Sequence, residues 1–235
     1  MNPTAAAGFG AGRADRYDAA RPAYPPAAVE RVASALGVGP GSVVVDVAAG
    51  TGKLTHLLPG RVVAVEPIED MRRHLRVPCA AGVAEALPLR TASADVVTVA
   101  QAFHWFDRLA AAAEIRRVLR PGSGLARLWN ARDASVPWVA ELDRIIHAHD
   151  DGSYGAEPED RSLPGFGPVE RFTCTFGQPQ TVDGVVARAL STSYVAAAGP
   201  DVHARVERDV RALLDGFPAT FDLPHTCDVF TCTRD

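Results

Sequence analysis

The run Val43-Val44-Val45-Asp46-Val47-Ala48-Ala49-Gly50-Thr51-Gly52-Lys53-Leu54 constrains the fold more than any other part of the chain. Three consecutive β-branched apolar residues read as a strand buried on both faces, which the parallel sheet of an α/β protein provides. The strand ends in a carboxylate, and small residues then turn the chain toward a helix expected over 53–58. In a doubly wound sheet such a strand end opens onto the crevice where ligands bind. About twenty residues beyond Asp46 a second apolar run, Val62 to Val65, ends in Glu66, a place from which a carboxylate can hold a ribose. Together the two strand ends predict a pocket for an adenosine-type cofactor.

Three kinds of glycine turn compete for this segment. A phosphate-binding P-loop needs Gly, four residues, then Gly-Lys-Ser/Thr, but Val47 stands in the first position and Leu54 follows Lys53. A dinucleotide fingerprint needs a third glycine where Thr55 stands, and it does not call for an acid at Asp46. The third candidate is the acid-x-Gly-x-Gly-x-Gly loop of class I S-adenosylmethionine methyltransferases, which this segment resembles at Asp46, Gly50 and Gly52, with Ala48 in place of the first glycine. A sulfonium ligand carries no phosphate, so its loop needs close backbone approach rather than a helix end aimed at an anion. Ala48 costs one methyl of clearance, and conflicts with that role only where φ must be positive.

The resemblance continues in order along the chain. Glu66-Pro67, with Met71 after it, is similar to the family's second motif, in which the acid binds the ribose hydroxyls and the methionine packs beside the adenine. Gly82 to Leu89 resembles the third-strand motif at the adenine edge. By that likeness Ala84 contributes its backbone N–H and Glu85 accepts from the adenine amino group, since Val83 stands where relatives often carry the acid. Ala94 to Ala100 is the fourth strand, followed by Gln101 on the cofactor side, and Arg117 to Gly124 resembles the turn into the fifth strand. Tyr17 and Arg21 precede the core in a Tyr-x3-Arg-x2-Tyr cluster with Tyr24; in relatives such a segment folds over the cofactor, so these two are expected at the methionyl carboxylate. The likeness runs from about Tyr17 to Asp133 and is to the small-molecule group related to quinone-biosynthesis and trans-aconitate-type enzymes.

The fold expected is α/β, a Rossmann-like doubly wound seven-stranded sheet, mostly parallel with an antiparallel last strand. Strands near 43–47, 62–66, 78–81, 94–100 and 124–130 alternate with helices near 26–36, 53–58, 68–75, 107–119 and 137–149. Two more helical stretches, 182–198 and 202–215, join late strands near 169–176 and 226–233. The 235 residues suit a single domain, 1–235, with 1–16 a flexible tail and 150–167 a loop or lid.

Composition narrows the partners. Net charge is −4 with no basic cluster, which argues against a nucleic-acid substrate. No apolar run approaches a membrane span, and Met1 to Arg16 lacks the apolar core of a signal peptide, so the cytoplasm is the expected compartment, with the chain a monomer or homodimer. Lys53 is the sole lysine, a bias that fits a high-GC genome and bacterial specialised metabolism. Four cysteines show no metal-ligand spacing, and His147 and His149, two apart, point to different helix faces, so no metal is expected.

Methyl transfer from a sulfonium is an in-line displacement, for which a protein supplies alignment and, where the nucleophile carries a proton, a base. His104, just after the fourth strand, is the candidate base; packing beside Trp105 and Phe106 is its alternative. Trp105 walls either the pocket or the core, and Asn130 and Arg132, at the end of strand five, are candidate substrate contacts, a surface salt bridge being the other reading of Arg132. No Asn/Asp-Pro-Pro-Tyr follows strand four, which lowers the case for amide or base N-methylation. The expected reaction moves a methyl from S-adenosylmethionine to a small-molecule acceptor, at oxygen, leaving S-adenosylhomocysteine. A cofactor-scaffolded cyclase or binding module, or a nicotinamide-dependent oxidoreductase, are the competing functions.

Overall fold

The computed structural model describes residues 21–149 and 162–235. Tyr17, the 1–16 tail and residues 150–161 of the expected lid lie outside them. In chain order the elements are α1 (Pro26–Ala35), β1 (Val43–Val47), β2 (Arg61–Val65), α2 (Glu69–Arg72), β3 (Cys79–Ala80), β4 (Ala94–Ala100), α3 (Arg108–Val118), β5 (Leu119–Arg132), α4 (Pro137–His147), β6 (Glu170–Gln180), α5 (Val182–Leu190), α6 (Ser193–Ala196), α7 (Pro200–Leu213) and β7 (Phe221–Thr233).

Seven strands form one sheet in the order β3-β2-β1-β4-β5-β7-β6. β1 runs parallel to both neighbours, with Val45 level with Val63 of β2 and with Val97 of β4; β3 and β5 extend the parallel part on either side. β7 runs the other way beside β5. The Arg234 amide donates to the Ser123 carbonyl at 2.7 Å and the Asp133 amide to the Pro224 carbonyl at 3.0 Å, so the start of one strand meets the end of the other. Strand order reverses between β1 and β4, and the crevice of a doubly wound sheet opens at that switch point.

The helix expected over 68–75 is shortened to the four residues of α2, and two others differ from expectation for local reasons. The stretch 53–58 makes only a 3-10 turn, Thr55–Leu57. Gly50 and Gly52 hold φ at 57° and 90°, and Leu58 becomes extended ahead of Pro59, which leaves room for a single turn. The 182–198 stretch breaks into α5 and α6, because the hydroxyls of Ser191 and Thr192 both donate to the Arg188 carbonyl at 2.8 and 3.4 Å and compete with the helical ladder.

Packing divides the described chain into two compact units. In the first (21–130, 162–174 and 227–235), Val45, Val47, Val97, Val99 and Leu125 pack with Ala111, Ile115 and Val118 of α3. The Asp107 carboxylate starts α3 by accepting from the amides of Leu109 and Ala110 at 3.1 and 3.0 Å. In the second (131–149 and 175–226), Val139, Leu142 and Ile146 of α4 meet Val185 and Val186 of α5 and Val206 and Val210 of α7. Trp138, Phe217 and Phe221 add edge-on ring contacts there.

Candidate functional site

Asp46 closes β1 among valines and is 1% exposed. Thr55 donates to one of its oxygens at 2.5 Å and Thr98, from β4, to the other at 2.7 Å. Burial still outweighs these bonds, with a smaller push from the charge of Glu66, so the carboxyl is raised to a pKa of about 6. Asp46 therefore ties the glycine loop to the strand next door. Neither threonine was singled out from the sequence as a site residue. The available signal was a hydroxyl interrupting Val96-Val97-Thr98-Val99 in a strand that is otherwise apolar.

The loop that follows is held in left-handed backbone. Ala48 has φ 55°, Gly50 57° and Gly52 90°, and Gln101, at the end of β4, has φ 54°. Among the described residues a Cβ at Gly50 would meet nothing within 4 Å, whereas one at Gly52 would come within 2.5 Å of the His56 ring. Position 48 thus does demand positive φ, and an L-residue is held there at a cost of roughly 1–2 kcal/mol. Ala48→Gly is expected to raise stability by about 0.5–1 kcal/mol without weakening ligand binding. Thermal melts with and without ligand check this, and a lower melting temperature would contradict it.

Glu66 ends β2 and is 4% exposed. One oxygen accepts from the Gly50 amide and the other from the Ile68 amide, both at 2.9 Å, so Glu66 joins the first loop to the second. Burial raises its pKa against the pull of those two amides and of Arg72. Arg72 in turn donates to the carbonyls of Glu66 and Pro67, and Met71 is buried. Each carboxylate oxygen has a second lone-pair direction, so Glu66 retains capacity for two further donors. Ala84 is buried, and Glu85 accepts from the Asp107 amide at 3.0 Å. Arg117 fastens this segment to α3 through Glu114 and the carbonyls of Leu87 and Leu89.

Within the first unit a cleft is lined by Arg21, Pro22 and Tyr24 on one side and by Asp46, Ala48, Ala49, Gly50, Thr51, Lys53 and Leu54 of the loop, with Ala100, Gln101 and Asn130 from the ends of β4 and β5. The Gln101 side chain donates to the Asn130 carbonyl at 2.7 Å, and the Asn130 side chain donates to the Ala23 carbonyl at 3.3 Å. The cleft thus unites six of the expected residues, Asp46, Ala48, Gly50, Gln101 and Arg21 expected at the cofactor and Asn130 expected at the substrate. Thr51 and Lys53 were not expected. Lys53 had entered only through the rejected P-loop pattern, and the turn geometry that brings it to the cleft has no signature in residue type.

His104 and Trp105 lie outside that lining, in the 3-10 turn Phe103–Trp105. The His104 ring is 4.7 Å from Trp105 and meets Trp129 edge-on at 5.1 Å, and its Nδ1 is buried with no hydrogen-bond partner among the described residues. Burial, helped by the charge of Arg21, lowers its pKa to about 4. The imidazole is therefore neutral at physiological pH and only a weak base. Arg132 belongs to the second unit, where it is ion-paired with Asp143.

A profile of the methyltransferase domain matches residues 45–126. An uncharacterized methyltransferase of Mycobacterium tuberculosis is 38% identical over 213 residues, covering 86% of this chain and 84% of that protein. An uncharacterized methyltransferase-like protein of Schizosaccharomyces pombe is 33% identical over 192 residues, covering 76% and 75%. Among solved structures, a protein from Anaeromyxobacter dehalogenans described as a type II methyltransferase superposes with a TM-score of 0.68 at 28% identity, over 91% of this chain and 97% of that one.

Proposed function

The chain belongs to the class I S-adenosylmethionine-dependent methyltransferases, and on that premise we propose that its acceptor is a small molecule methylated at oxygen. When bound, the cofactor supplies an electrophilic methyl group on a sulfonium. The chain's own residues fit it. The left-handed Ala48-to-Gly52 loop offers close backbone approach and open space at Gly50, which is the observation that carries the cofactor assignment. In this reading Asp46, Ala48, Gly50, Gly52 and Gln101 frame the cofactor, Glu66 takes the ribose hydroxyls, Pro67, Met71, Ala84 and Glu85 border the adenine, and Arg21 faces the methionyl carboxylate. Tyr17 lies outside the described residues.

Small size of the acceptor is supported by the net charge of −4, which offers no footprint for a nucleic acid. Among the described residues no helix is long and apolar enough to cross a membrane. We place the chain in the cytoplasm as a single catalytic domain, a monomer or homodimer, in bacterial specialised metabolism. His104, as a neutral imidazole, serves as a hydrogen-bonding contact that orients the acceptor, with Trp105 and Asn130 beside it.

Calorimetric titration with S-adenosylmethionine, S-adenosylhomocysteine and NAD tests the frame. Micromolar-range binding of the first two and none of NAD is expected; binding of NAD alone would overturn it. His104→Ala is expected to lower kcat/KM for the acceptor by roughly tenfold, the loss of one oriented hydrogen bond, with S-adenosylhomocysteine affinity within about twofold of the parent. A matching loss of cofactor affinity would move His104 out of the acceptor role.

A further inference from the structure

Both glycines of the cofactor loop are tied to the segment that follows β2, each by a different side chain. Gly50 is held by Glu66, which also takes the Ile68 amide. Gly52 is held by His56, which lies in the 3-10 turn Thr55–Leu57. The His56 amide donates to the Gly52 carbonyl at 3.1 Å, and the ring folds back over the glycine. A Cβ at position 52 would lie 2.5 Å from the ring's Cε1 and 2.9 Å from both its nitrogens, so the imidazole occupies the space a side chain would need. The same ring accepts from the Arg76 amide, at Nε2, over 3.2 Å.

The two links bracket the residues proposed to border the ribose and adenine. Glu66 fixes the start of that segment at Ile68, and His56 fixes its end at Arg76. Between them α2 is four residues long, too short to hold its shape without outside contacts. The loop is no stiffer, since a glycine at φ 90° has wide conformational freedom unless a neighbour restricts it. A cofactor that spans loop and segment needs both at a fixed spacing before it arrives. Ordering them on binding would be subtracted from its affinity.

Resting on the cofactor reading above, we infer that His56 is a positioning residue for the cofactor, a brace that holds Gly52 to the Arg76 end of this segment and works only while its ring is neutral. A backbone N–H can only donate, so the bond to Arg76 requires a bare lone pair on Nε2. The second proton of an imidazolium removes that lone pair and sets donor against donor. Acid therefore unlatches the loop from the segment. The charged and titratable side chains nearby in the chain are Lys53 on its own turn, Arg73, His74 and Arg76 on the segment, and Asp46 and Glu66 at the ends of β1 and β2. All six are retained in the variants below, so their titration is common to parent and variant.

The test is calorimetric titration of the intact protein with S-adenosylhomocysteine. His56 is exposed, so its substitution does not disturb the core, and a melting curve checks that each variant is folded. His56→Ala is expected to bind about five- to tenfold more weakly than the parent. His56→Gln places an acceptor near the Nε2 position and takes up no proton, so it should stay within about twofold of the parent at about pH 7.5. Lowering the pH to about 5.5, across the range in which an imidazole gains its second proton, should weaken the parent about threefold more than the glutamine variant. A further readout needs no ligand. Amide hydrogen exchange over residues 49–57 and 73–77 should be faster in His56→Ala and parent-like in His56→Gln. Parent-like affinity or exchange in the alanine variant would overturn the inference. So would a glutamine variant as weak as the alanine one, or a pH response that the glutamine variant shares in full. Failure of the parent to bind S-adenosylmethionine or S-adenosylhomocysteine at all would instead overturn the cofactor reading beneath it.

Discussion

Glu66→Gln is expected to lower affinity for S-adenosylmethionine by roughly 100- to 1000-fold while leaving the protein folded. A carboxylate that receives a ribose diol makes two charge-assisted hydrogen bonds, each worth ~1.5–3 kcal/mol. In the structure both oxygens already accept from the amides of Gly50 and Ile68, so the glutamate also sets the spacing of the two loops. A glutamine keeps one acceptor oxygen and turns its amide N–H toward a backbone N–H, losing the charge and opposing donor to donor. The combined loss of about 3–4 kcal/mol gives the stated range. Calorimetry reads the affinity, and a melting curve alongside distinguishes a lost contact from a lost fold. Parent-like affinity in a folded variant would remove Glu66 from the cofactor site.

Asp46→Asn should separate stability from binding. Folding lifts the Asp46 carboxyl from an ordinary value near ~3.9 to about 6 because burial disfavours its charge. For an acid shifted upward, the ionised form is the one the fold tolerates less. The cost is absent below about pH 4, grows as pH rises through 4 to 6, and is complete above that range. It amounts to something on the order of 3 kcal/mol at neutral pH. The asparagine variant has no charge to bury, and its amide can both accept from one threonine and donate to the other. It should melt roughly 6 °C above the parent at pH 7.5 and level with it near pH 4. Its affinity for the cationic cofactor should fall at least about tenfold, since the nearby negative charge is gone. A melting difference that does not depend on pH would sink the argument.

How far residue type reveals structure varies sharply across this chain. The valine runs of β1, β2 and β4 were legible because a strand buried on both faces has no other inexpensive place to go. Asp46 and Glu66 were legible because a carboxylate at the end of such a run is too costly to bury without a task. Ala48 was not, since alanine gives no sign of the left-handed backbone that its neighbours impose on it. Thr55 and Thr98 were missed for a related reason. A hydroxyl's meaning depends on what faces it, and Asp46 faces each of them from 9 and 52 residues away. Arg132 was placed by topology at the end of β5, as expected, but its partner is Asp143 of α4, and pairing of that kind follows from packing. The short turn after Gly52 shows the converse: a periodic pattern predicts a helix, and Pro59 seven residues later leaves room for one turn.

Lys53, in the wall of the cleft, is the only lysine in the chain. Amine-reactive chemistry therefore has a single side-chain target, and that target sits in the cleft proposed above for the cofactor. Coupling this protein to a sensor chip or resin through lysine would mask the very surface under study, and aldehyde crosslinking would start there. The same fact makes a labelling reagent a footprint of occupancy, since a bound cofactor should shield the one lysine and a mass spectrum would count the protected fraction directly. Immobilisation for any of the measurements above is better made through Cys79, an exposed thiol.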